Sequence, residues 1–176
     1  YDLVIDNFDT LFPRNQTLQA KKMFSATWDA YLAYSRPHET LFDHLRPCYL
    51  HGIDLLVASE NTAVHGVERG LAAHLLTDYL DEYDKRDDRQ SLLSYLYDKE
   101  EPDLARQVAW QLWRWGEDNE EMRDDWDKVQ ALWEQRIIQV DNADAYAVEF
   151  RWFVEWLPLI SERTAFENIA PLIIDT

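Results

Sequence analysis

The stretch Met122–Val140, MRDDWDKVQALWEQRIIQV, places Met122, Trp126, Val129, Trp133, Ile137 and Val140 at steps of 4, 3, 4, 4 and 3. That spacing puts six apolar side chains on one stripe of an α-helix, and no strand could use it. The same spacing recurs on both sides. Upstream, Leu104, Val108, Leu112 and Trp115 form one stripe, with Trp110 and Trp113 on the opposite side. Downstream, Tyr146, Phe150, Phe153 and Leu157 form another, with Val148 and Trp152 off it. A helix that is apolar on two sides is expected between neighbours, as in a stacked array.

Extended along the chain, this pattern predicts about eight helices. The first runs from Thr17 to Ser35, with Thr17 as its cap and Arg36-Pro37 as its stop. The second spans Glu39–Val57 and is expected to be interrupted near Pro47, which lacks a backbone donor. The others cover Ala63–Tyr83, Arg89–Tyr97, Asp103–Trp115, Asn119–Val140, Ala143–Leu157 and Thr164–Ile174. Gly116 is expected in the left-handed position after the fifth. Helix starts fall about twenty residues apart, so two helices make a unit of ~40 residues, the period of HEAT and armadillo repeats. The expected fold is all-α: stacked antiparallel helix pairs forming a HEAT-like α-solenoid in one domain, with residues 1–16 as an extended opening segment. An irregular helical bundle is the alternative.

Composition narrows the function. Acidic residues number 34 against 17 basic ones, for a net charge of −17. Such a chain repels phosphate backbones, which argues against nucleic acid as a direct partner. Lysine is scarce, at positions 21, 22, 85, 99 and 128. Acid-rich, lysine-poor chains suit a salt-saturated cytoplasm, where screening acts over ~3 Å at 1 M salt; an ordinary acidic protein is the alternative. No run approaches the ~18 apolar residues of a membrane span. The single cysteine, Cys48, permits no internal disulfide and fits a reducing, cytoplasmic home. The chain does not begin with Met and reads as a piece of a longer protein.

Three chemistries compete for the function. The opening Val4-Ile5-Asp6-Asn7-Phe8-Asp9-Thr10 resembles the nucleophile loop of haloacid-dehalogenase-type phosphatases, in which an Asp attacks phosphorus and a second Asp acts as acid/base. That family needs Asp-x-Asp, whereas Asp6 and Asp9 are three apart with Phe8 in the second acid's place. It also needs a parallel sheet, for which the later sequence offers no strands. A degenerate hydrolase using Asp6 is therefore the second reading. His44, Cys48 and His51, at i, i+4 and i+7, share a helical face and suit zinc. A fourth ligand would have to come from His38, His65 or His74, so partly buried interhelical side chains are the simpler role. The acidic runs Asp78–Asp88 and Glu117–Asp127 lack the glycine of a calcium loop and read as solvated edges. No cofactor-binding motif is present in the sequence.

The third chemistry is protein binding. Most of the eight tryptophans follow residue 109. Trp110, Trp113, Arg114, Arg151 and Trp152 fall on or near second helix faces, and Trp and Arg are the residue types that anchor interfaces. Packing between helices uses the same residues. A partner protein, another domain of the same polypeptide, or a second copy docking at the Trp-rich end are the expected occupants.

Glu101-Pro102-Asp103-Leu104-Ala105-Arg106-Gln107-Val108-Ala109, with Leu112 and Gly116, resembles the second helix of a HEAT repeat. Ala105 stands where that pattern has a larger aliphatic residue. With Leu132–Arg136 and Glu149–Trp156, the region from about residue 90 to 176 resembles an uncharacterised helical domain of large microbial multidomain proteins. Some of those proteins carry sirtuin-like modules and are suspected of antiviral defence. The resemblance implies an all-helical module, brings no catalytic residues and carries no mechanism; helix periodicity and the absence of catalytic chemistry in the sequence lead to the expectation of a non-catalytic interaction module, a scaffold or sensor beside an effector domain.

Overall fold

The computed structural model describes residues 7–13, 17–58, 67–83, 90–119, 125–142 and 144–159. The fold is all-α; no strand occurs among the described residues. The helices are α1 (Phe8–Leu11), α2 (Leu18–Tyr34), α3 (Glu39–Ala58), α4 (Val67–Asp81), α5 (Leu92–Tyr97), α6 (Pro102–Asp118), α7 (Trp126–Gln139) and α8 (Ala147–Val154), followed by a 3-10 turn at Leu157–Leu159. The chain divides into two compact units, Tyr1–Glu100 and Glu101–Thr176, where the sequence suggested a single array.

In the first unit α2 packs on α4, α3 on α5, and α5 also on α4. The Thr17 hydroxyl accepts the Ala20 amide at 3.2 Å and starts α2, while Ser91 does the same for α5 through Ser94 at 3.1 Å. The opening segment departs from an extended path: Phe8–Leu11 close one helical turn. Its anchor is Phe12, 2% exposed, whose ring lies 6.2–6.3 Å from Phe24, Trp28 and Tyr31. An extended opening segment would dock Leu3, Ile5, Phe8 and Leu11 on the first helices; of these, Leu3 and Ile5 lie outside the described residues.

The interruption expected at Pro47 does not occur, and α3 runs through it. Leu41, Phe42, Leu45, Cys48, Tyr49, Gly52 and Ile53 bury one continuous face of that helix. Each large apolar side chain contributes about 1.5–3 kcal/mol on burial. Together they outweigh the ~3 kcal/mol penalty of a helical proline.

Two glycines set the spacing in this unit. A Cβ on Gly70 of α4 would sit 2.7 Å from the Leu32 carbonyl oxygen of α2, so the two backbones touch there. A Cβ on Gly52 of α3 would meet the Trp28 indole of α2. Two helices end in the left-handed region without glycine, at Glu82 (φ 55°) and Glu100 (φ 56°). After α4 the Tyr83 amide reaches back to the Asp78 carbonyl at 3.2 Å, and Glu82 takes the turn between.

In the second unit α6 packs on α8. Proline 102 opens α6 with a preset φ, and Asp103 complements the helix dipole. Gly116 does not end the helix as expected. It lies inside α6, buried, and a Cβ there would meet the Trp156 ring at 2.5 Å. Gly116 is the notch that receives a tryptophan. The buried faces are also rotated from the expected stripes. On α7 they are Trp126, Val129, Leu132, Trp133 and Arg136, and Ile137 is only half-buried. Around α8 they are Glu149, Phe153 and Trp156 instead of Tyr146, Phe150 and Leu157. Trp133 stacks on Phe153 at 5.7 Å.

Candidate functional site

On the second unit, α6 and α8 bring their outward tryptophans together. The Trp113 and Trp152 rings lie 4.8 Å apart, tilted by 34°, and both are half-buried. Trp110 is half-buried one turn earlier on α6. Arg151 lies over the Trp152 ring at 5.7 Å and pairs with Glu155 at 3.7 Å. Arg114 is held by Glu117 at 2.7 Å and Asp118 at 3.0 Å. Val148, one turn before Trp152, is 49% exposed. The arrangement is an apolar, aromatic strip on two helices, edged by arginines each tied to a carboxylate three or four residues further along the chain.

The second unit also holds a bidentate ion pair that spacing alone did not reveal. Arg136 Nε donates to Glu149 Oε1 at 2.7 Å, and its Nη2 donates to Oε2 at 3.0 Å. Both side chains are almost fully buried. The guanidinium also lies over the Tyr146 ring at 5.3 Å and donates to Gln139 at 3.3 Å. Burial pushes the Glu149 carboxyl up, and the Arg136 contact pulls against it. The pair ties α7 to the start of α8 and so orients the Val148–Arg151–Trp152 face beside Glu149.

The first unit has a different polar centre. His74 of α4 is 2% exposed. Its Nε2 lies 3.0 Å from the Ser35 carbonyl oxygen, which can only accept, so Nε2 carries the proton. Its Nδ1 is then the acceptor for the Tyr49 hydroxyl at 2.7 Å. The Tyr49 oxygen in turn lies 3.4 Å from the Tyr31 hydroxyl. Burial pulls His74 down to about 4 against the Ser35 carbonyl, which favours the cation. Tyr49 is pushed well above its usual range, first by burial and then by Tyr31. Asp78, placed by sequence in a solvated acidic run, is 4% exposed one turn beyond His74.

The three metal candidates are not assembled. Cys48 is fully buried, His44 is exposed, and His51 sits edge-on to Phe24 at 4.7 Å. Among the described residues no group of three His, Cys, Asp or Glu could hold a metal ion. His74, a candidate fourth ligand, has both nitrogens engaged in hydrogen bonds; His65 lies outside the described residues and His38 Nδ1 accepts the Thr40 amide at 3.3 Å. Asp6 lies outside the described residues, and Asp9 is exposed on α1. The Thr164–Ile174 helix also falls outside them. No described helix is long and apolar enough to cross a membrane.

No protein-family model, curated protein or solved structure matches this chain.

Proposed function

We propose that this chain is a non-catalytic protein-interaction module, a scaffold or sensor within a larger cytoplasmic protein, and that it docks a protein partner or neighbouring domain on the α6/α8 face. The observation that carries this is the Trp113–Trp152 pair. Two large aromatic side chains from different helices meet at 4.8 Å, yet each keeps part of its surface in water. A pre-ordered Trp pair beside an arginine offers area with little entropy left to lose, the chemistry of an interface anchor. The packing of α2 on α4 and α3 on α5 supports a stacked-pair architecture within the first unit, since alternate helices meet in such stacks.

The test is affinity capture from cells of the source organism with wild type and a Trp113→Ala/Trp152→Ala double variant. Anchor removal is expected to weaken a docked partner by more than ~2 kcal/mol, about 30-fold. A specific partner kept by wild type and lost by the variant, at equal thermal stability, supports the proposal. Equal capture by both defeats it.

A further inference from the structure

The polar centre of the first unit has chemistry that a purely packed core lacks. His74, Tyr49 and Tyr31 come from three different helices and form a hydrogen-bonded chain that ends on the Ser35 carbonyl, at the C-terminal cap of α2. A last-turn helix carbonyl has no partner within its own helix. Here it is satisfied from α4. We propose that this Tyr31–Tyr49–His74 relay is an acid-operated latch on the end of α2, closed while His74 is neutral and released when the imidazole takes up one proton from solvent.

The step follows from donor counting. Neutral His74 donates through Nε2 and accepts through Nδ1, which matches the carbonyl on one side and the Tyr49 hydroxyl on the other. The imidazolium has a donor at both nitrogens. Tyr49 must then turn its proton towards Tyr31, and Tyr31 must turn its own away. The His74–Tyr49 and Tyr49–Tyr31 bonds both reverse while Nε2 goes on donating to Ser35, and the Tyr49–Tyr31 contact, at 3.4 Å, is already long. The added charge sits in a site 2% exposed, where desolvation disfavours it.

The titratable groups against the imidazole are Tyr31 from α2 and Tyr49 from α3, with rings 5.1 and 6.0 Å away; Cys48 of α3 and Asp78 of α4 act on Tyr49 in turn. The Ser35 carbonyl at the end of α2 favours the cation, and burial outweighs its pull. The imidazole therefore takes its proton most readily when it has left the pocket, which uncaps α2. The latch rests on the first unit alone and stands or falls apart from the tryptophan face.

The experiment is amide hydrogen exchange and histidine-selective NMR on the full chain from pH 7 to pH 4. At pH 7, His74 should show the neutral Nε2–H tautomer. After correction for intrinsic exchange, protection in the last turn of α2, at Tyr34 and Ser35, should fall about tenfold per pH unit once below the usual histidine value. His74→Gln should flatten that dependence, because a Gln amide can donate to Ser35 and accept from Tyr49 at every pH. Should that variant not fold, Tyr49→Phe, which removes the donor that keeps Nδ1 an acceptor and so eases protonation in the closed state, should leave the onset in place and make the loss of protection level off at a higher pH. An Nδ1–H tautomer, pH-independent protection in wild type, or identical profiles in wild type and variants would each overturn the latch.

Discussion

Replacing Gly70 by alanine tests the contact on which the first unit is built. An added Cβ would lie 2.7 Å from the Leu32 carbonyl oxygen, 3.0 Å from its carbon and 3.0 Å from its Cβ. Two of these three atoms are backbone, so no rotamer change relieves the clash. Either α2 and α4 separate by about half an ångström or Leu32 distorts, and overpacking of this kind costs about 1–3 kcal/mol. Opposing it, alanine is favoured over glycine inside a helix by about 1 kcal/mol. The balance is a net loss of up to about 2 kcal/mol, and Gly70 lies within α4, where the propensity gain applies in full. Urea unfolding followed by far-UV circular dichroism should show a lower midpoint at unchanged slope. The sign decides: a helical glycine with open space above it gains stability on becoming alanine. A raised midpoint for Gly70→Ala would mean that α2 and α4 do not touch at Leu32, and the described packing of the first unit would be wrong.

Other perturbations give equally direct outcomes. His74 is held down to about 4 in the folded chain and returns to its ordinary value on unfolding. The unfolded state therefore binds the extra proton first, and stability should fall as pH drops from about 6.5 to about 4, by about 3 kcal/mol in total, then level off. Thermal melts of wild type and His74→Gln across that window should diverge towards acid. In the second unit, Arg136→Met leaves the Glu149 carboxylate buried without its partner and should cost about 3–5 kcal/mol, whereas the Arg136→Met/Glu149→Leu double variant should recover most of it. A double variant no more stable than the single would refute the view that the stranded charge is the cost. Finally, Glu82 holds a left-handed conformation that disfavours a side chain, so Glu82→Gly should stabilise the end of α4 by about 1 kcal/mol, read as a higher urea midpoint.

Helix existence and type were plain in the sequence because they depend on local spacing. The Thr17 cap, the stop before Pro37 and the run of α2 match the observed helix almost residue for residue. Faces were less legible. The expected stripe on α8 was displaced by one residue, because Glu149 is buried by Arg136 of α7, thirteen positions away, and hydrophobicity alone gives a carboxylate no reason to point inward. Gly116 carried the signature of a helix end, yet it serves as a notch for Trp156, forty residues further on. The candidate surface was half visible: the types and positions of Trp113 and Trp152 stood out, but their meeting did not.

By itself the sequence determined an all-helical chain and the Thr17 cap and limits of α2, since 3.6-residue periodicity, caps and proline act over a few residues. Only the tertiary structure decided which faces are inside, where the chain divides, and which polar groups are paired. The His74 bonds reach across 25 residues to Tyr49 and 39 to Ser35, and buried polar groups take their partners from whatever the packing brings within 3 Å.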